Sequence, residues 1–271
     1  MRLSNPTRTP VTRSYLLGNF ALLENTCTNS SPKLSIIVPS FNEAESVASV
    51  IADMISTLDA SELKGNFEII LVDDGSSDGS WTIIEELPKI HSVVRSLRNA
   101  TNGGMWRAIQ TGMHAAKGDF VTYLPADGEI TATETIKLAS LASDADIVVS
   151  KRVSSDAVIK QQVRPWYREV LSWGQRTLTR IVLGCDISNA EGIFLLRWSV
   201  FKEFALAPRH DNILFLELLV RGLTGGYRVA ETEMFYTLRR GGRSKTVNLA
   251  YIIGTLADLI KLRLRMSKRL R

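Results

Sequence analysis

FEIILVDDGSSDGS, residues 67–80, decides the fold. It opens as an apolar, β-branched run, passes into two adjacent acids, and ends in a Gly/Ser turn. An apolar run of this length bounded by turn residues reads as a strand buried on both faces. The next residues, Trp81 to Leu87, carry a helical pattern. The unit is therefore strand, polar loop, helix. Upstream, LSIIVP (34–39) is a second β-branched run, and a helical pattern from Ala44 to Leu58 joins the two. Downstream, VTYLP (121–125) and ADIVVS (145–150) are further buried-strand candidates, with helical stretches at Met105 to Ala116 and Thr133 to Ala142. Strands alternating with helices predict an α/β fold, a mostly parallel sheet covered on both faces.

The chain has 271 residues, enough for one large α/β domain or two small ones. Hydrophobic residues make up 45% and charged residues 23%, ordinary for a globular protein. Cys27 and Cys185 give neither a disulfide framework nor a metal-ligand spacing. A reducing compartment is the simplest reading. There is no internal repeat and no apolar run long enough to span a bilayer. YLLGNFALL (15–23) follows Arg2, Arg8 and Arg13, but Gly18 and Asn19 interrupt it. It reads as an extension rather than a signal peptide, and 24–33 as a linker.

In open α/β sheets ligands lie beyond the carboxyl ends of the strands. That rule selects four loops: PSFNEAE (39–45), DDGSSDGS (73–80), PADGE (125–129) and SKRVSS (150–155). The polar residues of the first half are concentrated there. Adjacent acids at a strand end repel and need partners. A nucleobase edge or ribose hydroxyls offer donors to Asp74, with Asp73 in support. The same loop also suits a turn and helix cap built on Ser77 or Asp78.

VPSFNEAESV and DDGSSDGS resemble the first two strand-loops of family 2 glycosyltransferases. NGGMWRAIQTGMHAAKGD (102–119), SKR (150–152) and RRGGRSK (239–245) match later family segments in order, and the resemblance covers residues 33 to 246. It is nearest to the polyprenyl-phosphate and dolichyl-phosphate sugar transferases. It implies a GT-A fold, a nucleotide-sugar donor, a divalent cation (Mg²⁺ or Mn²⁺) and inversion at the sugar C1. With the flanking sequence patterns, three segments are expected: an extension over 1–32, the GT-A domain over 33–246, and a basic amphipathic helix over 247–271.

By the same resemblance, Pro39, Phe41 and Glu43 line the nucleobase pocket, Asp73 and Asp74 contact base and ribose, and Asn102 and Ala126 lie on the donor side. Asp127 matches the metal-binding Asp, Arg152 lies near the diphosphate, and Arg240 and Lys245 form a basic pair over the phosphates. The family pattern D-x-D is broken: Pro125 stands where the first Asp belongs. Glu129, two residues after Asp127, is the expected replacement ligand, although it also suits a cap for the following helix. A metal-independent site leaning on Arg152, Arg240 and Lys245 stays open. The family's D…SGFR segment is altered to DISNAEGIFLL (186–196), with Ile193 near the place of its Arg. Glu191 is the only acid nearby. It is a general base if the acceptor is a hydroxyl, or else an ion-pair partner.

Two further features suggest a membrane surface. Trp166, Val170, Trp173, Thr177 and Ile181 recur at helical spacing beside Arg164, Arg168, Arg176 and Arg180; the pattern fits an interfacial helix or one packed on the core. Leu249, Ile252, Ile253, Leu256, Leu259 and Ile260 form an apolar stripe that runs into KLRLRMSKRLR, which has six Lys/Arg and no acid. Each such cation contributes on the order of 1 kcal/mol near an anionic lipid surface. Nothing else in the chain resembles a nucleic-acid reader. The expected protein is a cytoplasmic enzyme, peripheral on the inner face of a membrane, that uses a polyprenyl phosphate. Transfer to a saccharide hydroxyl and a non-catalytic nucleotide-sugar-binding scaffold are the alternatives.

Overall fold

The computed structural model describes residues 33–153, 177, 192–206, 213–235 and 249–267. The first strands arise where the apolar runs predict them: β1 (Leu34–Ser40), β2 (Phe67–Asp73), β4 (Phe120–Tyr123) and β5 (Ile147–Val153). Both faces of β1 and β2 are buried along their whole length, which is why their sequences run apolar instead of alternating. Three strands carry weaker signals: β3 (Val94–Arg98), β6 (Phe194–Arg197) and β7 (Val229–Phe235). The sheet order is β3-β2-β1-β4-β6-β5-β7. β3 and β7 are thus the two edges, and edge strands tolerate the charges in VRSLR and VAETEMF. β6 is only four residues long and runs antiparallel to both β4 and β5.

Helices α1 (Val47–Asp59), α4 (Met105–Ala115) and α5 (Ala132–Ser140) match the helical patterns. The single helix expected over Trp81 to Leu87 is two, α2 (Ser80–Ile84) and α3 (Leu87–Ile90). Pro88 explains the break, since it lacks the N–H a continuing helix needs and restricts the residue before it. Helices α6 (Trp198–Ala205), α7 (Leu214–Thr224) and α8 (Leu249–Ser267) complete the described elements.

Glu68, the one acid inside the decisive run, is buried at the start of β2. Its carboxylate accepts from the Ser35 hydroxyl at 2.6 Å and the Lys117 N–H at 2.7 Å, and it pairs with Arg95 at 3.0 Å. Four segments are tied together at the end of the sheet opposite the candidate site. At the C-terminus the sequence stripe divides. Leu259 is 1% exposed and joins the core, whereas Ile260 is 56% exposed. Residues one apart on a helix differ by about 100° in direction, so one stripe cannot hold both. Among the described residues no helix is long and apolar enough to cross a membrane.

Candidate active site

β1 and β4 are parallel neighbours, but the chain leaves them toward opposite edges of the sheet. This is a topological switch point, where a crevice opens beyond the strand ends. The end of β1 is stitched to both sides of it. The Ser40 carbonyl accepts the Asp74 N–H at 2.8 Å, and the Pro39 carbonyl accepts the Ala126 N–H at 3.3 Å. Pro39 sits in a central strand, where proline usually costs a ladder bond. Here its carbonyl faces β4, and the last β1–β4 pair is Ile37 with Tyr123. Its missing N–H falls beyond the ladder.

The loop after β1 is fastened to the loop after β2. Asn42 has φ 56°, a left-handed conformation that Asn tolerates better than most residues. Its N–H donates to the Ser76 hydroxyl at 2.9 Å, and its side-chain oxygen accepts the Ser77 N–H at 3.0 Å. The Glu43 N–H donates to the Ser80 hydroxyl, and the Ala44 N–H to the Asp78 carboxylate. Burial works against the Asp78 charge, but the Ser80 hydroxyl and the Ser80 and Ala44 N–H groups outweigh it and lower the pKa. Phe41 and Glu43 are half-buried on this rim, and the Glu43 carboxylate accepts the Ser46 hydroxyl at 2.8 Å.

The two adjacent acids find partners inside the protein. Asp73, fully buried, pairs with Arg98 at 3.1 Å and accepts the Ser76 N–H. The Arg98 guanidinium lies over the Trp81 ring, 5.1 Å from its centroid. Asp74 points elsewhere. One of its oxygens accepts the Gly103 N–H at 3.0 Å and the Gly104 N–H at 2.7 Å, and the other accepts the Asn99 amide at 2.7 Å. Asp74 thereby fixes the segment that carries Asn102 into α4, where the Asn102 oxygen accepts the Gly104 N–H. Gly75 makes the approach possible. Its φ is +74°, and a Cβ there would lie 2.8 Å from the Thr101 carbonyl carbon.

On the β4 side, Asp127 is buried and accepts the Glu129 N–H at 3.0 Å across Gly128, whose φ is 72°. This local turn holds the Asp127 carboxylate and the Glu129 backbone together. Nine expected site residues (Pro39, Phe41, Glu43, Asp73, Asp74, Asn102, Ala126, Asp127 and Glu129) therefore belong to four hydrogen-bonded loops at one end of the sheet, those after β1, β2, β3 and β4. The backbone of Arg152 lies in β5 opposite Met234; its side chain, and Glu191, Arg240 and Lys245, lie outside the described residues. So does the expected helix around Trp166 and Trp173.

Sequence reasoning missed the supports: Ser76, Ser80, Arg98 and Asn99, whose roles depend on contacts remote in sequence. It also missed a clamp on Gly192 and Ile193. The Tyr123 hydroxyl donates to the Gly192 carbonyl at 3.2 Å, and the Ser150 hydroxyl donates to the Ile193 carbonyl at 2.8 Å. A Cβ on Gly192 would collide with the Ser150 carbonyl oxygen at 2.1 Å. Ile193, near the place of the resembled Arg, is fully buried in the core.

Comparison with known proteins agrees with this architecture. The chain is 29% identical over 217 residues to a dolichol-phosphate mannosyltransferase of Pyrococcus furiosus, covering 79% of this chain and 59% of that one. It is 28% identical over 240 residues to an undecaprenyl-phosphate 4-deoxy-4-formamido-L-arabinose transferase of Proteus mirabilis, covering 86% and 70%. It thus spans about three fifths of the first relative's length. Its fold is that of a mannosyltransferase from Pyrobaculum calidifontis solved with GDP-Man and Mn²⁺, with TM-score 0.52, 16% identity, and 86% and 70% of the two chains covered. The family model for glycosyl transferase family 2 matches residues 35–204, and the chain belongs to that family.

Proposed function

We propose that this chain is an inverting glycosyltransferase that moves a hexose from a GDP- or UDP-sugar to a polyprenyl phosphate. The observation that carries the reading is the joining of four polar loops at the β1/β4 switch point. The names of the relatives support the acceptor class. In this reading Pro39, Phe41 and Glu43 border the base, Asp73 and Asp74 shape the ribose side, Asn102 and Ala126 flank the donor, and Arg152, Arg240 and Lys245 meet the diphosphate. The protein works as a peripheral protein on the cytoplasmic face of a membrane.

Among the described residues no group of three or more His, Cys, Asp or Glu is placed to hold a metal ion. The chemistry of the site still fits Mg²⁺ or Mn²⁺. Asp127 and Glu129 are hard oxygen donors two residues apart, and these ions take most of their ligands from phosphate and water. Asp127 and Glu129 would hold the cation. When bound, it would neutralise charge on the departing diphosphate.

The chain's own residues supply positioning and charge. A phosphate acceptor is ionised at neutral pH, so its oxygen attacks C1 without a general base. The bond from C1 to the diphosphate breaks, and the nucleoside diphosphate leaves with its electron pair. One observation favours a second reading, transfer to a saccharide hydroxyl with Glu191 as base. Ile193 is buried, so that position offers no cation to an acceptor phosphate. A panel of nucleotide sugars with polyprenyl phosphate, with and without chelator, tests the proposal. Lipid-linked product with one donor is expected. Product only on a saccharide, lost in Glu191→Gln, would select the second reading. Donor binding without transfer would leave a non-catalytic scaffold.

A further inference from the structure

Helix α8 has two usable faces. On one, Leu259 and Leu262 are 1% and 0% exposed and belong to the domain core. Beside them, Arg265 pairs at 3.4 Å with Glu217, a fully buried acid on α7. Glu217 is also paired with Arg221 at 2.7 Å, and the Arg221 guanidinium lies over the Phe204 ring. Leucines and a buried ionic contact thus fix the rotation of α8 about its own axis. On the other face, Ile260 and Leu264 stand one turn apart and are 56% and 58% exposed. Lys261 and Arg263, both exposed, flank them.

We infer that the Ile260–Leu264 face of α8 is a docking surface for an anionic lipid bilayer. The proposal rests on the lipid-linked acceptor proposed above. Charge decides the occupant. Residues 261–271 hold six Lys/Arg and no acid; among the described ones Arg265 is paired with Glu217, and Lys261 pairs with Asp258 while its side chain stays 64% exposed. A second copy of this chain would bring the same positive charge to the contact, whereas an anionic bilayer complements it. Apolar side chains flanked by cations on a helix lying in the interface plane are the pattern that such a surface takes up. The face differs from the stripe expected from sequence, because Leu259 is spent on the core and Leu264, outside that stripe, takes its place.

The test uses the full chain with vesicles of phosphatidylcholine containing phosphatidylglycerol. Ile260→Glu/Leu264→Glu and the milder Ile260→Ser/Leu264→Ser are compared with wild type by co-sedimentation. Two exposed apolar groups lost from the interface should weaken vesicle binding at least about tenfold. Melting temperature, and turnover on a short-chain, water-soluble polyprenyl phosphate, should stay unchanged. Added salt should weaken wild-type binding. Vesicle binding equal to wild type in both double variants would overturn the inference, leaving the proposed activity standing. So would a wild-type dimer that the variants convert to monomer without any vesicle binding in either form. Conversely, loss of vesicle binding in the variants, with no sugar transfer by wild type to any acceptor, would sink the proposed activity and leave this surface intact.

Discussion

Replacing Asp74 separates two roles for the most crowded carboxylate of the site. Its two oxygens accept three N–H groups, from Gly103, Gly104 and Asn99. In Asp74→Asn the remaining oxygen can stay on the two glycines. The new amide then faces the Asn99 amide, which must turn over. The Thr111 hydroxyl permits this. It now lies 2.9 Å from the Asn99 oxygen and 3.0 Å from the Arg107 carbonyl; it can donate to Arg107 and accept from the turned Asn99. The network survives with neutral instead of charged bonds, a loss of about 1–2 kcal/mol. Asp74→Ala removes both acceptors and leaves the Gly103 and Asn99 donors with no partner but water, while the Gly104 N–H keeps its 3.1 Å bond to the Asn102 oxygen. At about 1–3 kcal/mol for each of the two unsatisfied groups, partly relieved because Gly103 is exposed, the cost is about 2–4 kcal/mol.

Urea unfolding of both variants gives these numbers directly, provided the slope of the transition stays constant. Donor affinity, read by titration with nucleotide sugars, should fall in step with stability, because the same carboxylate holds the Asn102 segment. Suppose Asp74→Ala lies within about 0.5 kcal/mol of wild type while donor binding vanishes. The carboxylate would then act on the donor alone, and the reasoning from its internal partners would be wrong.

Asp146 offers a pH-dependent counterpart. Its pKa is lowered from 3.8 to about 2, first by the Arg228 side-chain bond, against the opposing effect of burial, with Arg197 assisting. A depressed carboxylate stabilises above its unfolded pKa and loses that effect as pH falls through its folded one. Since Arg228 is half exposed, we expect Asp146→Asn to cost about 1–2 kcal/mol at pH 7 after solvent screening. The gap to wild type should close between about pH 4 and pH 2; a gap unchanged by pH would point to packing. Gly192→Ala should cost about 3 kcal/mol, given the collision with the Ser150 backbone; an unaltered melting curve would count against the clamp. Glu129→Gln should raise the metal concentration for half-maximal turnover about tenfold, whereas an unchanged titration would show that Glu129 is no ligand.

The sequence made the first half of the fold legible because β1 and β2 are buried on both faces and read as continuous apolar runs. β3 and β7 escaped because edge strands face solvent and carry charge, and β6 because it runs without an intervening turn into the apolar start of α6 at Trp198. The polar loops were legible as a set, through the rule that places ligands at strand ends. Their internal bonding was not. Nothing local in NATNGG, residues 99–104, announces that Asn99, Gly103 and Gly104 converge on Asp74. Adjacent acids need partners, and the sequence suggests a ligand's donors where the structure shows the protein's own. For Asp73 the partner was Arg98, across the ladder on β3, which only a strand register can reveal.

Pro125 shows how the site departs from its family's pattern without losing its shape. The Leu124 N–H donates to the Ile37 carbonyl and the Ala126 N–H to the Pro39 carbonyl. Alternate residues of an extended chain face opposite sides, so the backbone N of residue 125 points away from β1. A proline there costs no bond to β1, and its fixed φ suits the approach to the turn at Asp127 and Gly128. The exchange of Asp for Pro therefore costs no hydrogen bond to β1, and it removes one negative charge beside Asp127. Asp127 is buried, with a glycine at positive φ after it and an acid two residues on. If that geometry serves a cation, Pro125→Asp should tighten metal binding with little change in melting temperature. A variant that folds normally but binds metal no better than wild type would mean that the charge at 125 was never part of the site.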